Sequence, residues 1–179
     1  MAAGRSTEPG SRHLLAHAVS QGVRGMGADE RLGSLGALIV CASLILPWYG
    51  APIADDLVQT GVGAFSFAEA ALVLTALAVL VLCLQLGRGY SPPRPLSAGG
   101  LLLAAGIWAA LIVVYRMFDR PEFTLVGFDE PYELRWGIFV ALTGAFVIIL
   151  AGMRARHARR SRTDGHARSA RPRRVDPGL

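Results

Sequence analysis

The sequence predicts an all-α membrane protein: an antiparallel, up-down-up-down four-helix transmembrane bundle with disordered polar tails. Four apolar stretches predict it first, at residues 32–49, 65–86, 96–115 and 136–153. A helix rises about 1.5 Å per residue, so each stretch crosses or nearly crosses a hydrocarbon core of about 30 Å. The second observation is composition: 53% of the 179 residues are hydrophobic and mean hydropathy is +0.43, too apolar for an ordinary soluble domain. The third is that the segments between the stretches alternate in charge.

All eighteen basic residues are arginine, and their placement sets an orientation. Net charge is +1 over the N-terminal tail (residues 1–31), +2 over the second connection, which carries Arg88 and Arg94, and +7 over the C-terminal tail (residues 154–179). The first connection, with Asp55 and Asp56, and the third connection each carry −2. Cytoplasmic flanks of membrane helices hold the excess of arginine, so both termini are expected in the cytoplasm of a multi-pass plasma-membrane protein. An even number of spans requires the same.

In chain order, residues 1–31 mix Gly, Ser, Arg and His without sustained periodicity and are expected to be disordered. A cluster of Leu14, Leu15, Ala18 and Val19 would at most lie on the membrane as a weak helix, and Met26 offers an alternative start of translation. Span one closes on Leu46-Pro47-Trp48-Tyr49: proline ends the helix, and Trp48 and Tyr49 suit the headgroup level. Pro52 stands where signal cleavage wants a small residue, so span one is expected to remain uncleaved. Phe65 and Phe67 open span two and Trp136 opens span four on the same side, completing an aromatic belt.

The connection from Gly87 to Pro95 is short and proline-rich and forces spans two and three into a hairpin. The third connection, from Arg116 to Arg135, is the largest outer segment, with a short extended element expected over Phe123 to Phe128 between Pro121 and Pro131. After span four, Arg154, Arg156, Arg159, Arg160 and Arg162 are placed against anionic lipid. Each basic residue there contributes on the order of 1 kcal/mol, so this tail is expected to lie on the inner leaflet.

Helices associate in lipid by close approach of small residues. Gly33, Ala37 and Cys41 form such a stripe on span one, Gly137, Ala141 and Ala145 on span four, and Gly100 with Ala104 and Gly106 with Ala110 on span three. Span two has no comparable face. The bland use of these stripes, packing within one chain, is preferred to homodimerisation.

Glu69 is the most informative single residue, because a carboxylate inside an apolar span is expensive and normally has a partner. Arg116 and Arg135 lie at a similar depth and either would serve. An interfacial ion pair that fixes helix register is preferred to a proton, ion or ligand site, since the deeper polar residues are only Ser43, Thr75 and Thr143. Cys41 and Cys83 differ in depth by roughly 15 Å, too far for a disulfide, and read as packing residues. Asp129, Glu130 and Glu133 lack the spacing of a calcium loop. His13 with His17, and His157 and His166, form no metalloprotease signature. No catalytic, cofactor or metal residue is nominated and no enzyme is expected. The arginine tail lacks aromatic residues for base stacking, so nucleic acid is not expected as a partner.

Through Leu46-Pro47-Trp48-Tyr49, the acidic loop after it and a span opening on Phe65, the chain resembles small uncharacterised four-span membrane proteins of high-GC Gram-positive bacteria. It carries Ala64-Phe65 where many of that group have a tryptophan. The resemblance implies a fold and a location without an activity. The expected function is a non-enzymatic accessory or interaction component of the cell envelope, binding a membrane-protein partner or a second copy of itself. The alternative is a small carrier or channel subunit using Glu69 in an oligomeric pathway.

Overall fold

The structure is a computed structural model that describes residues 19–51, 54–60, 67–93, 96–119, 122–125, 128–131 and 133–169; the side chains of 51–59, 122–131 and 159–169 fall outside that description. Most of the N-terminal segment expected to be disordered, through residue 18, and the chain beyond Ser169 lie outside the described residues, as does Phe65.

Among the described residues four long helices carry the fold: α1 (Ala28–Ser43), α2 (Phe67–Gly87), α3 (Ala98–Phe118) and α4 (Trp136–Ser169). Three contain segments long and apolar enough to cross a membrane, Phe67–Gly87, Ala98–Phe118 and Trp136–Ala158, which makes the chain a multi-pass membrane protein. The sequence led us to expect four such helices. At 16 residues α1 is shorter than the stretch 32–49 suggested, because the helix stops at Ser43 and the chain turns into a strand at Pro47.

The chain is mostly helical, as an all-α class requires, and short strands join the helices at the same place. Among the described residues five strands lie at one end, hereafter the strand end: β1 (Pro47–Ala51), β2 (Ala54–Thr60), β3 (Glu122–Leu125), β4 (Phe128–Pro131) and β5 (Glu133–Leu134). Antiparallel β1 is central in a three-stranded sheet of order β2-β1-β5, pairing Tyr49 with Gln59 and with Leu134. Of the one extended element expected over Phe123 to Phe128, residues 126–127 lie outside the described residues, and those on either side belong to two strands, β3 pairing β4 through Phe123 with Glu130 and Thr124 with Asp129. At the opposite, arginine end, α4 does not stop at Met153 but runs on to Ser169. Residues 19–25 are helical and lie across the end of α2, where a Cβ on Gly22 would stand 3.1 Å from the Leu84 carbonyl oxygen.

The helices pack in a ring in which α1 touches α2 and α4, and α3 touches α2 and α4. Their buried faces follow one rule. On α2 the buried residues are Glu69, Leu72, Ala76, Val79 and Cys83, and on α3 they are Gly99, Leu102, Gly106, Ala109, Val113 and Arg116. Alternating steps of three and four residues keep one seam inward, as in left-handed bundles crossing near +20°. Span two therefore has a contact face, but one of alternating 3-4 spacing and not of small residues alone. On span three the stripe is displaced by one residue from the expected Gly100 and Ala104, since Gly99 is buried and Ala104 is exposed.

Large apolar residues line the outside, among them Leu74, Leu77, Val81, Trp108, Leu111 and Phe146, while Ala37, Ala76, Ala109, Ala141 and Ala145 lie within. Lipid tolerates the large residues, and the small ones admit close backbone approach. The closest approaches involve α4. A Cβ on Gly36 would stand 2.8 Å from the Gly144 carbonyl oxygen, and one on Gly144 2.9 Å from the Gly36 carbonyl oxygen. Gly99 and Gly152 repeat this reciprocity, each with a Cβ position 2.9 Å from the other's carbonyl oxygen.

These backbone atoms cannot swing aside as a side chain would. Gly144→Ile is expected to destabilise the protein by about 3 kcal/mol, the upper part of the overpacking range, whereas Ala104→Leu on the exposed face is expected to be neutral. Thermal unfolding of both variants in detergent, followed by size-exclusion recovery, checks the contrast.

Candidate functional site

Glu69 sits in the first turn of α2 and Arg116 in the last turn of α3, so the antiparallel hairpin brings both to the strand end. Each charge also suits its helix terminus: a carboxylate at the positive end of one dipole, a guanidinium at the negative end of the other. The two meet directly. Arg116 Nε and Nη2 each lie 2.6 Å from Glu69 Oε1. Both side chains are withdrawn from the surface, with 1% of Glu69 and 8% of Arg116 exposed. Of the two partners proposed from sequence, the structure brings Arg116 to Glu69.

Two more residues join the arrangement. Arg116 Nη1 donates to the Asp119 carbonyl oxygen at 3.3 Å and lies 3.7 Å from Asp119 Oδ2. Tyr49 donates its phenol to the Arg116 carbonyl oxygen at 3.0 Å, satisfying one of the orphan carbonyls at the end of α3. Sequence reasoning missed both roles. The three-residue spacing from Arg116 to Asp119 was available as a signal; the reach of Tyr49 over 67 positions was not.

Arg135 is placed elsewhere. Its backbone N–H donates to the Trp48 carbonyl oxygen at 2.8 Å, and its guanidinium covers Gly50, where any Cβ would collide with it. Trp48 and Tyr49 are corrected from headgroup-facing residues to interior ones: 1% and 0% of them is exposed. The reason is the strand. Turning at Pro47 directs Trp48 back onto α1, where its indole Nε1 donates to the Ser43 carbonyl oxygen at 2.7 Å and closes that helix end. Trp136, by contrast, is 55% exposed at the start of α4.

The arginine end holds a second cluster. Arg154 Nε lies 3.3 Å from Asp29 Oδ1, and Asp29 lines a cavity of about 460 Å³ with Glu30, Tyr90 and Gly99. The Glu30 carboxylate folds back over Gly27 at the start of α1, as a third-position acid does when it serves its own helix N-terminus. Arg156 runs against Gly99, and His157 Nδ1 lies 2.8 Å from the Met153 carbonyl oxygen. Arg159, Arg160 and Arg162 are on the helical continuation of α4, with side chains outside the description.

Chemically, the strand-end site is a charge pair with its hydrogen bonds supplied, placed to hold helix ends together. Cys41 and Cys83 are both free thiols. Among the described residues no three His, Cys, Asp or Glu side chains come together as a metal-binding group. No protein-family model, curated protein or solved structure matches this chain.

Leaving either charge buried without the other is expensive. Glu69→Ala and Arg116→Ala are each expected to cost about 3–5 kcal/mol, and replacing both with leucine should recover most of the loss. A thermal-stability cycle in detergent decides it, since simple additivity of the two single losses would mean that the residues are not coupled. Tyr49→Phe is expected to lower stability by about 1 kcal/mol in the same assay, the worth of one hydrogen bond.

Proposed function

We propose that this chain is a four-span, non-enzymatic component of the bacterial plasma membrane that acts by associating with another membrane protein, with both termini and the arginine end of α4 in the cytoplasm. The observation that carries the reading is the mutual burial of Glu69 and Arg116. In a transport pathway an intramembrane carboxylate serves by exchanging its partner for an ion or a proton. Here Glu69 is bound by two nitrogens of one guanidinium, whose third nitrogen reaches Asp119. That geometry suits a fixed clamp.

The reach of α1 supports a fourth span. Its 16 residues cover about 24 Å, and three tighter bonds continue it, from the N–H groups of Leu44, Ile45 and Leu46 to the carbonyls of Cys41, Ala42 and Ser43. At about 2.0 Å per residue the extension brings the rod to roughly 30 Å, of which the apolar part that follows Asp29, Glu30 and Arg31 is about 24 Å, against a hydrocarbon core of about 30 Å. Orientation rests on charge: the nine arginines from Arg154 to Arg174 follow α4's apolar segment, whereas Asp55, Asp56, Asp129, Glu130 and Glu133 belong to the connections at the strand end. The same arginines would hold the tail near anionic lipid.

Reporter fusions test the topology. Alkaline phosphatase joined after Asp129 should be active, and green fluorescent protein joined after Tyr90 or at the C-terminus should fluoresce; the reverse pattern would refute the orientation. Affinity purification of the full chain in mild detergent, with mass spectrometry and size analysis, tests the association. A reproducible membrane-protein partner is expected. Recovery of a homo-oligomer alone, together with a solute flux abolished by Glu69→Gln while assembly persists, would replace this reading with a carrier or channel.

A further inference from the structure

We infer that the groove between α3 and α4 at the arginine end seats the headgroup of one anionic phospholipid. This deepens the proposal that the arginines meet anionic lipid, and rests on it, by assigning a built site on the helices in addition to a diffuse contact of the tail.

The groove encloses about 270 Å³ and is lined by Leu103, Met153, Arg156 and His157. Its polarity is graded in the direction a lipid needs. Leu103 lies five residues into α3 and Met153 three residues before Arg156 on α4, so both apolar walls are on the membrane side of the cation. Arg156 itself stands twenty residues after Trp136, or about 30 Å along the helix, which puts it at the opposite headgroup level from that tryptophan. An acyl chain would therefore leave the groove along apolar surface while its phosphate stays beside the guanidinium. A soluble anion would have no use for the apolar walls.

The cation is held in place. The reciprocal approach of Gly99 and Gly152 brings α3 against α4, and the Arg156 stem lies over Gly99 so closely that a Cβ there would stand 2.9 Å from its Cγ. His157 is fixed through Nδ1 and the Met153 carbonyl oxygen at 2.8 Å. The neighbouring ion pair joins Arg154, not Arg156, to Asp29. The N-terminus of α3 adds its positive dipole end on the same side, with Ser97 accepting the Gly100 N–H at 3.0 Å. Basic pockets between membrane helices on the cytoplasmic side are a recurrent form of anionic-lipid recognition.

Native mass spectrometry of the delipidated full chain in detergent tests the site, with phosphatidylglycerol as the probe and phosphatidylcholine as the control. The wild type should retain one phosphatidylglycerol, with phosphatidylcholine at least tenfold weaker. Arg156→Gln with His157→Gln should weaken retention at least tenfold. Leu103→Trp, which fills the groove and leaves every charge in place, should do the same. If Arg159, Arg160 and Arg162 changed together to Gln abolish retention while the groove variants keep it, the groove proposal is overturned and the tail contact stands. If no variant alters retention, or both lipids bind equally, the groove and the tail reading fall together. Since the measurement is made in detergent, an inverted topology would not disturb it.

Discussion

Close backbone approach along α4 is the constraint on which the rest of this structure depends. Hydrocarbon surroundings give two helices no hydrophobic reason to pair, because lipid tails are as apolar as leucine. Attraction has to come from many short-range contacts, and those require surfaces that meet without projecting side chains. Gly36 against Gly144 and Gly99 against Gly152 supply this on both sides of α4. The ring is then closed by α2, which packs on α1 and α3 with a seam of Leu72, Ala76, Val79 and Cys83. Removing the glycine contacts would leave α1 and α3 without the helix that joins them.

Given that ring, the polar groups at its strand end have fixed addresses. Antiparallel packing of α2 and α3 sets the first turn of one beside the last turn of the other, and this places Glu69 within bonding distance of Arg116. Helix ends also leave carbonyls without partners, and away from water these must be paired within the protein. Strand β1 provides the donors: Trp48 closes α1 and Tyr49 closes α3. The sheet is thus part of the helix packing, joining three helix ends through two adjacent side chains and the Arg135 backbone, which precedes α4.

Different physics explains what the sequence disclosed and what it did not. The three long helices were legible because lipid imposes one strong requirement, a sustained apolar run, and Phe67–Gly87 and Ala98–Phe118 meet it with ends displaced by one to three residues from the runs at 65–86 and 96–115. Glu69 was legible for the converse reason, as a costly exception within such a run. Its partner was narrowed to two arginines by depth alone, and only the facing of α2 and α3 separates Arg116 from Arg135. Span one was drawn too long: Pro47 marked the end of the helix, but Trp48 and Tyr49 were counted with the span as interfacial aromatics, where the backbone has already changed from helix to strand. The aromatic pair was then assigned to lipid on composition, although Tyr49 is drawn inward by a carbonyl 67 positions away and by a strand pairing with β5, both distant in sequence.

The length of α4 connects the two ends of the molecule. Its 34 residues extend about 51 Å, well beyond a hydrocarbon core of about 30 Å. A flexible tail would leave its arginines to average over many positions. A continuous helix instead sets Arg154 and Arg156 at fixed rotations relative to Gly144 and Gly152, which lie on its packed face. One turn further along, that rotation directs Arg154 toward Asp29 on α1 and Arg156 across Gly99 on α3. The same small residues that hold the helices together therefore determine which cation serves the protein's own carboxylate and which is set in a groove open to the surroundings. Any displacement of α4 along its neighbours would disturb the glycine contacts and the arginine positions together, so packing in the apolar layer and the placement of cations at its boundary are one property of this helix.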